Sequence, residues 1–197
     1  MHSRRDKVII ALENGGDGFI PTELISITPI GKVERRILDY LKRSLEGIFG
    51  VVCRIGDPIP VPDFAFNRSR GQYSAEAILG QIHVEEGERV LGVVDLDLYV
   101  PGLNFVFGLA DPRKKRALIA LPRLRQSFYG MPEDDALFLE RSLKEAVHEL
   151  GHTYGLGHCP NRKCVMAFSN SISHTDLKGY DFCPSCLSIL RANLHKE

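Results

Sequence analysis

Apolar residues recur at three- and four-residue intervals from Ile30 through Val33, Ile37, Leu38, Leu41 and Leu45 to Ile48. Lying between Pro29 and Gly50, they predict an amphipathic helix. Strand-like runs flank it. Lys7-Val-Ile-Ile-Ala-Leu12 precedes it and is closed by the turn-forming Asn14-Gly-Gly-Asp-Gly18, and Val51 to Ile55 follows. Gly56 to Pro62 has prolines at positions 58, 60 and 62, so it reads as a fixed connector rather than an element. Tyr73 to Ile82 predicts a second helix. From Arg89 to Val100 the pattern changes period: Asp95 and Asp97 alternate with Val94, Leu96 and Leu98, as on a strand with one wet face. Phe105 to Leu109 and Arg116 to Leu121 are shorter strand candidates, parted by the Asp111-Pro112 turn.

A further helix should begin near Pro132, which suits a first helical position, with Glu133, Asp134 and Asp135 at the positive end of its dipole. Its apolar stripe is Ala136, Leu139, Leu143, Val147, Leu150 and Tyr154. The succession of strands and helices predicts an α/β fold with a mixed, twisted sheet of about five strands, because the later strands are joined by connections too short for a helical crossover. The 197 residues fit a single domain.

Composition narrows the class without naming a partner. Hydrophobic residues make up 44% and charged ones 25%, and the formal net charge is +0, so nothing draws the whole chain to nucleic acid or to an acidic membrane. Met1 to Asp6 leads into only a short apolar segment, Val8 to Leu12, which is neither a signal peptide nor a membrane span. The expectation is a cytoplasmic protein whose thiols stay reduced, so Cys159, Cys164, Cys183 and Cys186 read as metal ligands rather than disulfides. Cys53, in an apolar run, reads as a small buried hydrophobe.

The stretch HELGHTYGLGH, residues 148–158, carries the chemistry. At 100° per residue, His148 and His152 lie about 40° apart on a face opposite the apolar stripe. Both imidazoles can therefore reach one tetrahedral ion, and Glu149 stands on the flank where it can contact a water. Gly155 permits the positive φ of a helix end, and Gly157 loosens the turn that returns His158 to the same ion. Three neutral histidines leave a coordination position open, as in a catalytic zinc site. The four cysteines, spaced C-x4-C and CxxC, make a closed thiolate set suited to a structural zinc, and the adjacency of His158 and Cys159 ties the two sites together. Asp95 with Asp97 reads as a solvated strand face rather than a cation site, and Arg113 to Arg116 with Arg123 and Arg125 as solvated cations. His174 reads as a loop residue. Ala117 to Leu121, just before the helix, is a candidate border for an extended substrate.

The pairing of HExxHxxGxxH with Met166 downstream resembles the signature of metzincin zinc metallopeptidases. Cys159 directly after the third histidine, with Cys164, Cys183 and Cys186 around the methionine, resembles the archaemetzincin family in particular. That resemblance implies His148, His152 and His158 as ligands of a catalytic zinc, Glu149 as general base and acid, Met166 as the Met-turn residue, and the four cysteines as ligands of a second, structural zinc. It also implies a division of the single domain, 1–197, into an upper α/β part with the active-site helix, 1–155, and a small zinc-stapled lower part, 156–197. Phe168 occupies the place where some metzincins carry a tyrosine that approaches the metal. The expected activity is hydrolysis of peptide or protein substrates by zinc-activated water, in a monomer without nucleic-acid or membrane partners. Alternatives are a zinc-dependent amidase on a small molecule, or a zinc-ribbon interaction protein with a latent catalytic site.

Overall fold

The computed structural model describes residues 23–194. The strand expected at Lys7 to Leu12 and its turn lie outside the described residues. In chain order the elements are β1 (Leu24–Ile30), α1 (Arg35–Phe49), β2 (Val52–Ile55), β3 (Phe66–Asn67), β4 (Gln72–Ser74), α2 (Ala75–Gln81), β5 (Glu88–Val94), β6 (Leu98–Tyr99), β7 (Gly108–Asp111), β8 (Arg116–Ala120), α3 (Asp135–Thr153), α4 (Ile172–Leu177) and α5 (Pro184–Leu194). The main sheet has five strands in the order β2-β1-β5-β8-β7. Its first four strands are parallel, and β7 closes one edge antiparallel to β8. The mixed α/β expectation holds, and the short β7–β8 connection is the reason for the one antiparallel pair.

Strand residues alternate between two cores. Leu91 and Val93 of β5, with Ala117 and Ile119 of β8, join Ile37, Leu41 and Leu45 of α1 and Val147 and Leu150 of α3 on one face. Val90, Val94, Leu118 and Ala120 point the other way, onto Ile78 and Leu79 of α2. Full burial of one such aliphatic side chain contributes roughly 1.5–3 kcal/mol, so the sheet has a substantial hydrophobic hold on α3.

Three expectations need correction. Ile30, read as the first apolar position of the helix, instead ends β1, a strand paired on both sides. The chain turns at Gly31, with φ 68°, and α1 begins only at Arg35. A side chain at Gly31 would sit 2.8 Å from Val61, so this close turn requires glycine. The strand beginning near Arg89 ends at Val94 and is buried throughout, as suits a parallel strand covered on both faces. Asp95 and Asp97 lie beyond it and are bound in two-point ion pairs, Asp95 by Arg125 at 2.6 and 2.9 Å and Asp97 by Arg123 at 2.6 and 2.8 Å. They are neither a wet strand face nor a cation site. The second helix starts at Ala75, after an N-cap in which the Ser74 hydroxyl accepts from the Ala77 N–H; Tyr73 belongs to β4.

Candidate metal centres and cleft

The helix α3 begins at Asp135, three residues after Pro132, because the Asp134 carboxylate takes the N-cap and accepts from Leu137 N–H at 2.9 Å. Leu143, Val147, Leu150 and Tyr154 are buried as expected, but Ala136 is exposed and Phe138 takes its place in the core. From Arg141 to Gly151 the helix is buried all round, polar residues included. Apart from Glu149, its charged side chains are matched: Arg141 grips Asp176 through two 2.7 Å bonds, Lys144 pairs with Glu140 at 2.7 Å, and Glu145 lies 3.2 Å from Lys178. The helix closes in a Schellman turn. Gly155 N–H donates to His152 O and Leu156 N–H to Gly151 O, with Gly155 at φ 82°.

That ending places the imidazoles. His148 Nδ1 donates to Val165 O and His152 Nδ1 to Leu156 O, each at 2.8 Å, so both Nε2 atoms carry lone pairs. These two lone-pair nitrogens face each other at 3.1 Å. Such an approach is repulsive without a cation between them, and it nearly matches the roughly 3.3 Å separation of two nitrogens on a tetrahedral zinc. His158 joins them: the ligand atoms of the three residues all lie within 4.8 Å of one another. Burial, followed by the nearby Lys178 charge, drives the His148 pKa down to about 2, and burial also lowers those of His152 and His158. In each case the shift favours the neutral form that metal ligation requires.

Glu149 projects beneath β7. A side chain at Gly108 would come within 2.6 Å of Glu149 Cγ and 2.7 Å of Leu118 O, so glycine there makes room for the carboxyl group. Burial, followed by the charge of Glu145, pushes the Glu149 pKa up to about 8. The histidines and Glu149 open into a cavity of about 540 Å³, roofed by residues 103–110 and flanked by Phe168. The strand bordering it is β7, with Gly108, Leu109 and Ala110 in the wall. Ala117–Leu121, a candidate for that border, lies instead in and just after β8 (Arg116–Ala120), an interior strand between β5 and β7.

The cysteines assemble below. Cys159, Cys164, Cys183 and Cys186 bring their sulfurs within 4.8 Å of one another, and all are free thiols. Cys159 Sγ and Cys183 Sγ are 3.7 Å apart, too far for a disulfide but close to the roughly 3.8 Å expected of two thiolates on tetrahedral zinc. A bond from the Cys186 N–H brings the Cys183 thiol down to about 7, whereas burial raises Cys164 and Cys186. Held together as thiolates, the four need a cation. Cys53 is 2% exposed in the core, and its thiol is pushed up to about 12 by burial.

The two clusters share a backbone. Cys159 N–H donates to Met166 O at 2.9 Å, Cys183 N–H donates to Cys164 Sγ at 3.3 Å, and Val165, between Cys164 and Met166, supplies the carbonyl that orients His148. Met166 is fully buried, and a side chain at Gly151 would lie 2.5 Å from its sulfur, so the methionine packs directly under the helix.

The model of peptidase family M54 matches residues 33–192. The chain belongs to that family. The archaemetzincin of Methanocaldococcus jannaschii is 47% identical over 167 residues, covering 85% of this chain and 92% of that protein. That of Pyrococcus furiosus is 44% identical, covering 87% and 94%. The crystal structure of the Methanopyrus kandleri archaemetzincin superposes with a TM-score of 0.77 at 37% identity, covering 89% of this chain and 97% of that one. The Archaeoglobus fulgidus archaemetzincin, solved in complex with malonate, gives a TM-score of 0.75 at 38% identity over 84% and 99%. This M54 chain is therefore a zinc metallopeptidase, and its three-histidine and four-cysteine groups fit the catalytic and structural zinc ions of archaemetzincins. No described helix is long and apolar enough to cross a membrane.

Sequence reading missed the supports of the site. Val165 O, Leu156 O and Gly108 act through backbone, where residue type gives little signal, and Lys178 reaches Glu145 across 33 positions in the chain. His174 lies on α4 and is exposed, outside the histidine cluster.

Proposed function

We propose that His148, His152 and His158 hold the catalytic zinc and that Glu149 is the general base, then the acid, of peptide-bond hydrolysis. The observation that carries this reading is the pair of opposed Nε2 lone pairs at 3.1 Å, each fixed from behind by a backbone carbonyl. Zinc held by these residues would supply Lewis acidity for a substrate carbonyl and for a water molecule. Glu149, beside the metal ligands, would take the proton from the attacking water and return it to the leaving amine. β7, paired only with β8 among the described residues, leaves an edge along which an extended peptide can add as a further strand.

Cys159, Cys164, Cys183 and Cys186 hold the structural zinc, which anchors His158 through its neighbour Cys159 and His148 through Val165. On this reading the domain divides at the Schellman turn into upper and lower parts, 1–155 and 156–197. The protein works as a cytoplasmic monomer on peptides, without nucleic acid or membrane. Lys178, a basic residue near the cysteines, is buried and so is withdrawn from any nucleic-acid surface, which weighs against a zinc-ribbon interaction role. A cleft bounded by a strand edge favours peptides over a small amide.

The test is a peptide-library digest by the zinc-loaded chain beside Glu149→Gln at matched zinc content. The variant keeps the size of the side chain and loses the base, so its rate should fall by about 10²–10⁴. Equal cleavage by both chains overturns the assignment.

A further inference from the structure

Charge in the cleft is one-sided. Apart from the histidines, the ionisable side chains lining it are Glu145 and Glu149, and no lysine or arginine among the described residues does so. Glu145 stands one turn before Glu149, so both carboxylates rise from the same face of α3. Its Oε1 accepts from the Thr175 hydroxyl at 3.1 Å and lies 3.2 Å from Lys178 Nζ. Thr175 and Lys178 are buried and absent from the lining, so the carboxylate stands between the ammonium and the cleft. Both contacts fall on Oε1, which leaves Oε2 for a ligand. Glu145 thus offers a free carboxylate oxygen at the cleft wall, and Phe105, Phe107 and Phe168 line the same cavity. Aromatic walls suit a long aliphatic stem and the face of a cation.

We propose that Glu145 makes the enzyme select peptides with a lysine or arginine beside the scissile bond, the cationic head lying against Glu145 Oε2 and the stem along the phenylalanines. The proposal rests on the peptidase reading above. The long stem matters because it carries the positive charge a full helical turn from the metal held by His148. An acidic side chain at the same place would meet Glu145 as a like charge and be rejected.

The experiment compares three peptides identical except for one residue next to the cleaved bond: arginine, norleucine of similar length without charge, and glutamate. A charge-assisted hydrogen bond in a water-poor cleft should raise kcat/KM for the arginine peptide over norleucine by about tenfold or more, with the glutamate peptide slowest. In Glu145→Gln the arginine-to-norleucine ratio should fall toward one. Norleucine or glutamate matching arginine with the parent chain overturns the proposal, as does a ratio that survives Glu145→Gln. Should that variant fail to fold, the series on the parent decides. Equilibrium binding of the same peptides to the zinc-loaded Glu149→Gln chain, read by fluorescence anisotropy, ranks them without catalysis. If the parent cleaves none of them, the peptidase reading falls, while the binding order still upholds or overturns the role of Glu145.

Discussion

The three histidines and the four cysteines meet at the peptide bond between His158 and Cys159, yet the two sites are built from different material. Two of the histidines come from α3, a 19-residue helix fixed against the sheet and buried all round from Arg141 to Gly151. The cysteines come from a turn-rich segment and the start of α5, where Cys164 and Cys186 are the buried members and Cys159 and Cys183 are partly exposed. The histidine site therefore inherits its geometry from a hydrophobic core that exists without metal. The cysteine site sits in a segment with few buried apolar residues of its own, among them Val165, Met166 and Leu190. There the ion must supply much of the stabilisation, as in small zinc-bound folds. One metal should matter mainly to chemistry, the other mainly to structure.

The sharpest way to break that contrast is at the cysteines. Cys186→Ser should destabilise the protein by about 4 kcal/mol or more, the range reserved for loss of a structural metal or an equivalent feature. Denaturant unfolding checks this, and a loss below about 1 kcal/mol would place the stabilisation elsewhere. Gly151→Ala strikes where the regions touch. The new methyl would lie 2.5 Å from Met166 Sδ, and overpacking of this kind costs about 1–3 kcal/mol against a helix-propensity gain of about 1 kcal/mol at most. The melting temperature should drop modestly, with zinc release from the histidine site accelerated; an unchanged melt and unchanged release would mean that the methionine does not support the helix. The smallest stability effect belongs to His158→Ala. This exposed ligand should be lost at a cost within about 0.5 kcal/mol in the zinc-free protein, while affinity at the histidine site collapses. Retained tight binding of the catalytic zinc would remove His158 from the ligand set.

The same contrast explains what the sequence made legible. Ligand spacing on a helix is a local property, so His148, His152, Glu149 and the glycine turn could be read from 3.6-residue periodicity and glycine chemistry alone. The cysteine set was legible from spacing and expected redox state. Strand positions were harder. β1 carries Pro29 and buries residues on both faces, so it shows no clean alternation and merges with the approach to α1. The alternation around Asp95 and Asp97 was real but lay beyond the strand, where Arg123 and Arg125 neutralise it from nearly 30 residues away. Polar burial on α3 was invisible for the same reason: Arg141, Lys144 and Glu145 look like a solvated face until their long-range or helical partners are known. β7 could be mistaken for an interior strand, and β8 for an edge, because pairing order is a property of the whole sheet.

Stepwise chelation tests the division of labour most directly. Zinc content, peptide hydrolysis and near-ultraviolet circular dichroism are followed together as a chelator is raised. The account predicts that the first equivalent leaves the open histidine site with loss of hydrolysis and little change in the spectrum, and that tertiary signal collapses only with the second, thiolate-bound equivalent. Simultaneous loss of both metals, or tertiary collapse with the first equivalent while hydrolysis persists, would contradict it.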